Sequence, residues 1–296
     1  MAIITRREAL AAGAAAAAAA AVSTLTPFGA AAQPAAPPAG RVVKKGRLKQ
    51  SVARWCYKNI PDREFYKAVA DMGVPAVDLL GPEQWEAVRE FGLICSLGWQ
   101  VGGTIPEGLN NPANHDAIVK GLTTALPTAA KLGVPNLITF FGNRKGMSDA
   151  DAIKNCVAGL NRIKGPAEDA GVTVVVELLN SKIDHKDYQG DRSAFGLEIV
   201  KAVGSPRVKL LYDIYHMQIM EGDVIRTIRQ DKDWIAHFHT GGVPGRHELD
   251  ETQELQWRSV CTAIADMGYT GYVAHEFVPT RDPLTSLREA VTLCDV

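Results

Sequence analysis

From Gln50 onward, short apolar runs alternate with longer stretches in which apolar residues recur every three or four positions. The short runs cover 51–56, 76–80, 93–98, 136–141, 173–178, 208–214, 234–240 and 272–277. Several are continuous, such as Val174-Val175-Val176, as parallel strands covered on both faces require. The intervening stretches read as helices. One begins with the capping pattern Ser148-Asp149-Ala150-Asp151, carries Ile153, Val157, Leu160 and Ile163 on one face, and closes near Gly171. Another places Ile118, Leu122, Ala125, Ala129 and Leu132 on one face before a glycine stop at Gly133. Eight strand-then-helix units fill residues 48–296. That count predicts one α/β domain closed as a (β/α)8 TIM barrel rather than an open doubly wound sheet. No glycine fingerprint follows the first strand, which argues against dinucleotide binding.

The chain before these units has another character. Thr5-Arg6-Arg7-Glu8-Ala9-Leu10 precedes an alanine-dominated run to Val22, with small residues from Gly29 to Ala32. A charged start, a weakly apolar middle and a small-residue exit form a signal-peptide pattern, here of the twin-arginine type. Residues 1–32 are therefore expected to be an export signal to the periplasm or another exported location, and 33–47 a Pro/Ala-rich linker. The apolar run is too short, and alanine too weakly apolar, for a stable membrane span. Twin-arginine export carries folded proteins, so a metal can be loaded before transport.

Composition narrows the function classes. Hydrophobic residues make up 46% and charged residues 22%, with a formal charge of −1, the balance of an ordinary globular protein. Leaving out residues 1–32 removes two arginines and one glutamate and brings the charge to −2. There is no basic excess or basic stripe for a nucleic-acid partner. The five cysteines, Cys56, Cys95, Cys156, Cys261 and Cys294, show no CxxC spacing, which speaks against a disulfide framework or a thiolate zinc site.

In a barrel of this kind the chemistry sits at the C-terminal strand ends. The last four predicted strands each end in a metal-capable side chain: Glu177, Asp213, His239 and Glu276. A single carboxylate after three valines would be costly to bury, but four such groups converging on one cation offset that cost. Three carboxylates and an imidazole suit one divalent ion, Mn²⁺ or Mg²⁺ first, with Co²⁺ or Zn²⁺ also compatible. His237 lies two residues before His239 and faces the same side of the strand; it is expected to support the site or the core. His275 is expected to point outward and to be structural. His185 is expected near the mouth of the site, and Trp55 and Tyr57 are expected to form an apolar wall.

At these residues the chain resembles the hydroxypyruvate-isomerase group of the xylose-isomerase-like barrels, which also contains ketose 3-epimerases. The resemblance is carried by Glu177-Leu-Leu-Asn180-Ser, by Tyr212-Asp213-Ile-Tyr-His216-Met-Gln218, by His239-Thr-Gly-Gly-Val-Pro244-Gly245-Arg246-His247-Glu248 and by His275-Glu276-Phe. Two upstream stretches add to it: Gly108-Leu-Asn-Asn-Pro-Ala-Asn-His115 and Thr139-Phe-Phe-Gly142-Asn143-Arg144. The resemblance implies that Glu177 and Glu276 bind metal and shuttle a proton, that Asp213 and His239 complete the metal site, and that His216 and Arg246 contact substrate. It implies conversion of hydroxypyruvate to tartronate semialdehyde through an enediolate. Glu177 and Glu276, on strands five and eight, would flank the substrate so that either can act as base or acid, with Glu276 taken first as the base and Glu177 as its partner. A histidine at 239 is the epimerases' habit, whereas Pro244-Gly245-Arg246-His247-Glu248 is the isomerases'. A ketose 3-epimerase or another sugar isomerase is therefore the first alternative. A zinc nuclease of the endonuclease IV kind would need more ligands and a basic face, and a non-catalytic sugar binder would not need two proton-transfer carboxylates. The implied partner is a small hydroxy-keto acid or sugar, and assembly into a homo-oligomer is left open.

Overall fold

The computed structural model describes residues 40–296. The expected signal segment and the first part of the expected linker lie outside them. Eight strands form one parallel sheet: β1 (Lys49–Val52), β2 (Ala76–Leu80), β3 (Ile94–Gly102), β4 (Asn136–Phe140), β5 (Thr173–Leu178), β6 (Val208–Asp213), β7 (Ile235–Thr240) and β8 (Tyr272–His275). Each pairs with the next, β8 returns to β1, and a bridge between Ala53 and Asp78 closes the ring. The predicted (β/α)8 TIM barrel is what the chain forms.

Helices α1 (Asp62–Met72), α2 (His115–Leu132), α3 (Asp149–Asn161), α4 (Lys164–Ala170), α5 (Ser193–Val203), α6 (Ile214–Met220), α7 (Val224–Asp231), α8 (Trp257–Asp266) and α9 (Pro283–Cys294) lie between or after the strands. The start signals act where expected. The Ser148 hydroxyl accepts the Asp151 amide at 3.1 Å, and Gly133 and Gly171 end α2 and α4 in the left-handed conformation that glycine adopts without penalty. The single helix expected up to Gly171 is in fact two, α3 and α4, separated at Arg162–Ile163.

Two further expectations are corrected. The crossover from β2 to β3 is made of 3₁₀ turns, Pro82–Gln84 and Ala87–Phe91, rather than an α-helix; Trp85 is buried between them and donates its indole N–H to the Leu80 carbonyl at 2.9 Å. The first strand stops at Val52, and Arg54–Tyr57 forms a 3₁₀ turn. The Arg54 guanidinium donates to the carbonyls of Tyr57 and Ile60, each at 2.7 Å, which folds the chain back after the strand.

Residues 40–47, the second half of the expected linker, lie against the barrel. Val43 is buried, and the backbone amides of Lys44, Lys45 and Gly46 donate to the Asp295 carboxylate at 2.6 to 2.8 Å. The two upstream motif stretches meet each other: Leu109 and Asn110 donate their amides to the carbonyls of Phe140 and Phe141. A Cβ on Gly108 would stand 2.3 Å from the Gly142 nitrogen, so this contact depends on glycine. Among the described residues no helix is long and apolar enough to cross a membrane.

Candidate active site

Glu177 lies on β5, Asp213 ends β6, His239 stands one residue before the end of β7, and Glu276 follows β8. The register places Asp213 opposite His239, and His239 opposite Ala274, two residues before Glu276. Same-face spacing along the strands then brings all four side chains into the barrel mouth. One ligand atom from each lies within 4.8 Å of the others, and all four residues are buried. His239 Nδ1 stands 2.7 Å from Glu276 Oε2, 3.3 Å from Glu177 Oε1 and 3.9 Å from Asp213 Oδ2.

The surrounding donors converge on the same place. Trp55 Nε1 donates to Glu276 Oε1 at 2.6 Å. Arg246 Nη2 donates to Glu276 Oε2 at 2.7 Å and to Asp213 Oδ2 at 3.3 Å, and its guanidinium lies against the rings of Trp55 and Tyr215. Burial pushes the Asp213 carboxyl up to about 7, with Glu276 adding to the rise against the opposing pull of Arg246. Burial also raises Glu177. In Glu276 the burial effect is overcome by Arg246 and His239, which hold it well below the usual carboxylate range.

Three buried carboxylates at this spacing repel one another, and a positive charge at their centre relieves that repulsion. His239 Nδ1 faces all three, yet the contacts, 2.7 Å to Glu276 included, lack the direction of a hydrogen bond. Its other nitrogen, Nε2, already faces Asp78 Oδ2 at 2.9 Å. An open nitrogen among three carboxylate oxygens is a donor set that fits a divalent cation.

His216 is buried beside the cluster, and its amide donates to Asp213 Oδ1 at 3.2 Å. Asn180 Oδ1 accepts the amides of Ile183 and Asp184 at 3.0 and 2.9 Å. Because amides only donate, the orientation of the Asn180 side chain is fixed, and its Nδ2 donates to His216 Nδ1 at 2.6 Å. The ring proton of neutral His216 therefore sits on Nε2, which has no partner among the described residues. Burial, reinforced by Arg246, keeps this ring well below its ordinary pKa and hence neutral.

These groups line a cavity of about 300 Å³. Glu177, Glu276, His216, Arg246, His185 and Trp55 are on its wall, and the His185 ring packs against His216 at 5.3 Å between centroids. The remaining wall is apolar: Leu79, Trp99, Ile105 and Leu179. Leu79 occupies the left-handed region, φ 55°, at a register shift in β2, and Arg246 does so at φ 59°. Such backbone, unusual for residues with a Cβ, often marks functional loops.

All eight expected site residues therefore come together. Tyr57 does not: it is buried behind the site, stacked on Phe65 and edge-on to Phe277, because the 3₁₀ turn after β1 carries it away from Trp55. His275 points outward, with its ring between the Gln50 amide oxygen at 2.7 Å and the Thr240 hydroxyl at 3.1 Å. Sequence reasoning missed Asp78, Asn180 as an individual contributor, and the apolar wall. The signal for Asp78 was present, since a carboxylate inside Ala-Val-Asp-Leu-Leu must find buried partners. Leu79 and Trp99 look like any strand residue in sequence.

Comparison with known proteins agrees with this architecture. The family model described as "xylose isomerase-like TIM barrel" matches residues 66–294. The chain is similar to a putative hydroxypyruvate isomerase of Homo sapiens, 29% identical over 237 residues, covering 75% of this chain and 85% of that one. It is also similar to a 2-oxo-tetronate isomerase of Cupriavidus necator, 35% identical over 135 residues, covering 45% and 51%. Among solved structures it superposes on a family 2 AP endonuclease from Brucella melitensis with a TM-score of 0.71 at 23% identity, covering 81% of this chain and 97% of that one. A 3-keto-D-glucoside 4-epimerase from E. coli superposes with a TM-score of 0.70 at 18% identity, covering 83% and 98%. At those identities the two structures speak to the fold alone. With the family model spanning most of the chain and every strand in place, the chain belongs to the xylose isomerase-like TIM barrel family.

Proposed function

We propose that this chain is a metal-dependent isomerase that moves a proton between adjacent carbons of an α-hydroxy carbonyl compound, with hydroxypyruvate as the first substrate to test. The observation that carries this reading is the buried cluster of Glu177, Asp213, His239 and Glu276, with the open His239 Nδ1 at its centre. The names of the relatives, hydroxypyruvate isomerase and 2-oxo-tetronate isomerase, support the same class. Those four side chains would hold one divalent ion, Mn²⁺ or Mg²⁺ by preference, with Co²⁺ or Zn²⁺ also accepted. When bound, the ion supplies positive charge beside the two adjacent substrate oxygens as negative charge develops on them.

The protein's own groups do the rest. Arg246, stacked beside Trp55, offers a planar fork for the substrate carboxylate. His216 presents an Nε2–H donor to a substrate oxygen. Glu276 takes the C3 proton of hydroxypyruvate and the electron pair of that C–H bond forms the enediolate. Glu177 delivers a proton at C2, the C3 hydroxyl proton passes to the C2 oxygen to give tartronate semialdehyde, and proton exchange with solvent returns the two carboxylates to their starting states. The apolar wall keeps bulk water from the reacting carbons.

A second reading is supported by the cavity itself. About 300 Å³ is roomier than a three-carbon acid requires, and the wall opposite the carboxylates is apolar, which suits the carbon chain of a ketose and 3-epimerisation at the same cluster. Proton–deuterium exchange followed by NMR separates the two. The purified protein with Mn²⁺ or Mg²⁺ is given hydroxypyruvate, tartronate semialdehyde and a panel of ketoses. Exchange or conversion of hydroxypyruvate that vanishes in Glu276→Gln supports the isomerase. Exchange confined to C3 of a ketose moves the assignment to an epimerase, and no metal-dependent exchange with any of them rejects both.

A further inference from the structure

Asp78 is a charged residue in the middle of an apolar strand, fully buried on β2. A carboxylate in that position is costly unless its lone pairs are used, and they are. The Ser96 hydroxyl donates to Oδ1, while His237 Nε2 and His239 Nε2 lie 3.2 and 2.9 Å from Oδ2. In the ring, β2 and β7 are separated by β1 and β8, so these two contacts cross the barrel interior beneath the proposed cation cluster.

A carboxylate oxygen that faces two imidazole nitrogens serves as their acceptor. Facing Nε2 of His239, it keeps the ring proton on that nitrogen and leaves Nδ1 free to face Glu177, Asp213 and Glu276. Asp78 also fixes the plane of the ring, since His239 is held between this contact and the cluster. His237 competes for the same carboxylate oxygen and packs edge-on against His239 at 5.2 Å between centroids, which leaves the ring little freedom to flip.

We propose that Asp78 is a positioning residue, which sets the tautomer and orientation of His239 so that Nδ1 is presented as a ligand to the divalent cation. A carboxylate behind a ligating histidine tunes metal affinity by about 10- to 100-fold when removed. This inference rests on the reading that Glu177, Asp213, His239 and Glu276 hold that cation. Asp78, His237 and His239 also lie within ligand distance of one another, so the rival account is a second metal ion at these three residues. Both histidine nitrogens are already at hydrogen-bond distance from one carboxylate oxygen, which favours the proton over the ion.

The test is Mn²⁺ binding to the full-length protein, followed by electron paramagnetic resonance of the free ion, in wild type, Asp78→Asn and His239→Gln. It is combined with long-range ¹H–¹⁵N correlation of the histidine rings in the wild type, both metal-free and Mg²⁺-loaded. The expected result is one ion per chain, a Kd about 10- to 100-fold larger in folded Asp78→Asn, and a His239 ring protonated at Nε2. An unchanged Kd in folded Asp78→Asn, a ring protonated at Nδ1 with metal bound, or a second ion lost on mutating Asp78 overturns the inference. The cluster reading survives those outcomes as long as wild type binds Mn²⁺ and His239→Gln weakens it. No Mn²⁺ binding by wild type rejects that reading and this inference with it. Should Asp78→Asn fail to fold, the ring correlation in metal-free wild type decides alone, because there no ion on Nδ1 forces the proton onto Nε2.

Discussion

Arg246 reaches Glu276 and Asp213 from a left-handed backbone position and lies between two aromatic rings. A lysine keeps the charge but loses the planar fork and the stacking. Arg246→Lys is therefore expected to raise KM for an anionic substrate by about tenfold or more, the equivalent of one charge-assisted hydrogen bond, with a smaller fall in kcat; steady-state kinetics on hydroxypyruvate reads the split. On the proposed mechanism Glu177→Gln and Glu276→Gln would remove proton transfer as well as a ligand, and each is expected to lower kcat by about 10² to 10⁴ even at saturating metal. Near-normal turnover in either variant would remove that residue from the proton path. The sequence made these residues legible because acidic and imidazole groups at strand ends have few bland uses. It hid Asp78 and Asn180, whose partners come from other strands and loops, and it misplaced Tyr57, which follows a turn set by Arg54 hydrogen bonds that no periodicity records.

Among the elements, the loops at the strand ends are braced by specific contacts. Glu248, in the loop after β7, accepts the Thr280 and Arg281 amides and the Thr280 hydroxyl from the segment leading into α9, and the Ser286 hydroxyl from the first turn of that helix. Burial raises this carboxyl, but those donors lower it further, to about 2 from an ordinary 4.5. A depressed folded-state pKa means that the stabilisation is complete above the unfolded-state value and disappears as pH falls toward about 2. Glu248→Gln should thus cost about 2 to 3 kcal/mol at neutral pH, and the gap to wild type should close between roughly pH 4.5 and 2 in urea melts. The contact of Gly108 with Gly142 gives a second measurement: Gly108→Ala forces backbone apart and is expected to destabilise by about 1 to 3 kcal/mol, seen as a lower midpoint in the same melts. Strand cores such as 76–80 and 173–178 were read from sequence to the residue, since short, mainly apolar runs fix them. The β2–β3 crossover was not, because Trp85 and Pro82 build a compact turn where helical spacing alone suggested an ordinary unit.

For the whole molecule, the proposed cation at the barrel mouth would join the ends of four strands. Saturating Mn²⁺ at about a hundred times its Kd should add about 2.7 kcal/mol, raising Tm by several degrees, and excess chelator should reverse the gain in a thermal-shift assay. Export belongs to this scale too. We propose that residues 1–32 direct the folded barrel outward, and that Arg6→Lys with Arg7→Lys leaves it in the cytoplasmic fraction when cells are fractionated. The fold class was legible because eight repeated units can close in few ways. The closure of the ring has a kinetic consequence. Val52 pairs with His275, and the Asp295 carboxylate holds the amides leading into β1. The first strand thus waits on chain made more than two hundred residues later. Such high contact order makes assembly slow, and during synthesis on the ribosome β1 presents an unpaired edge to the cytosol. Closing the ring is therefore a step that must follow the emergence of the last strand.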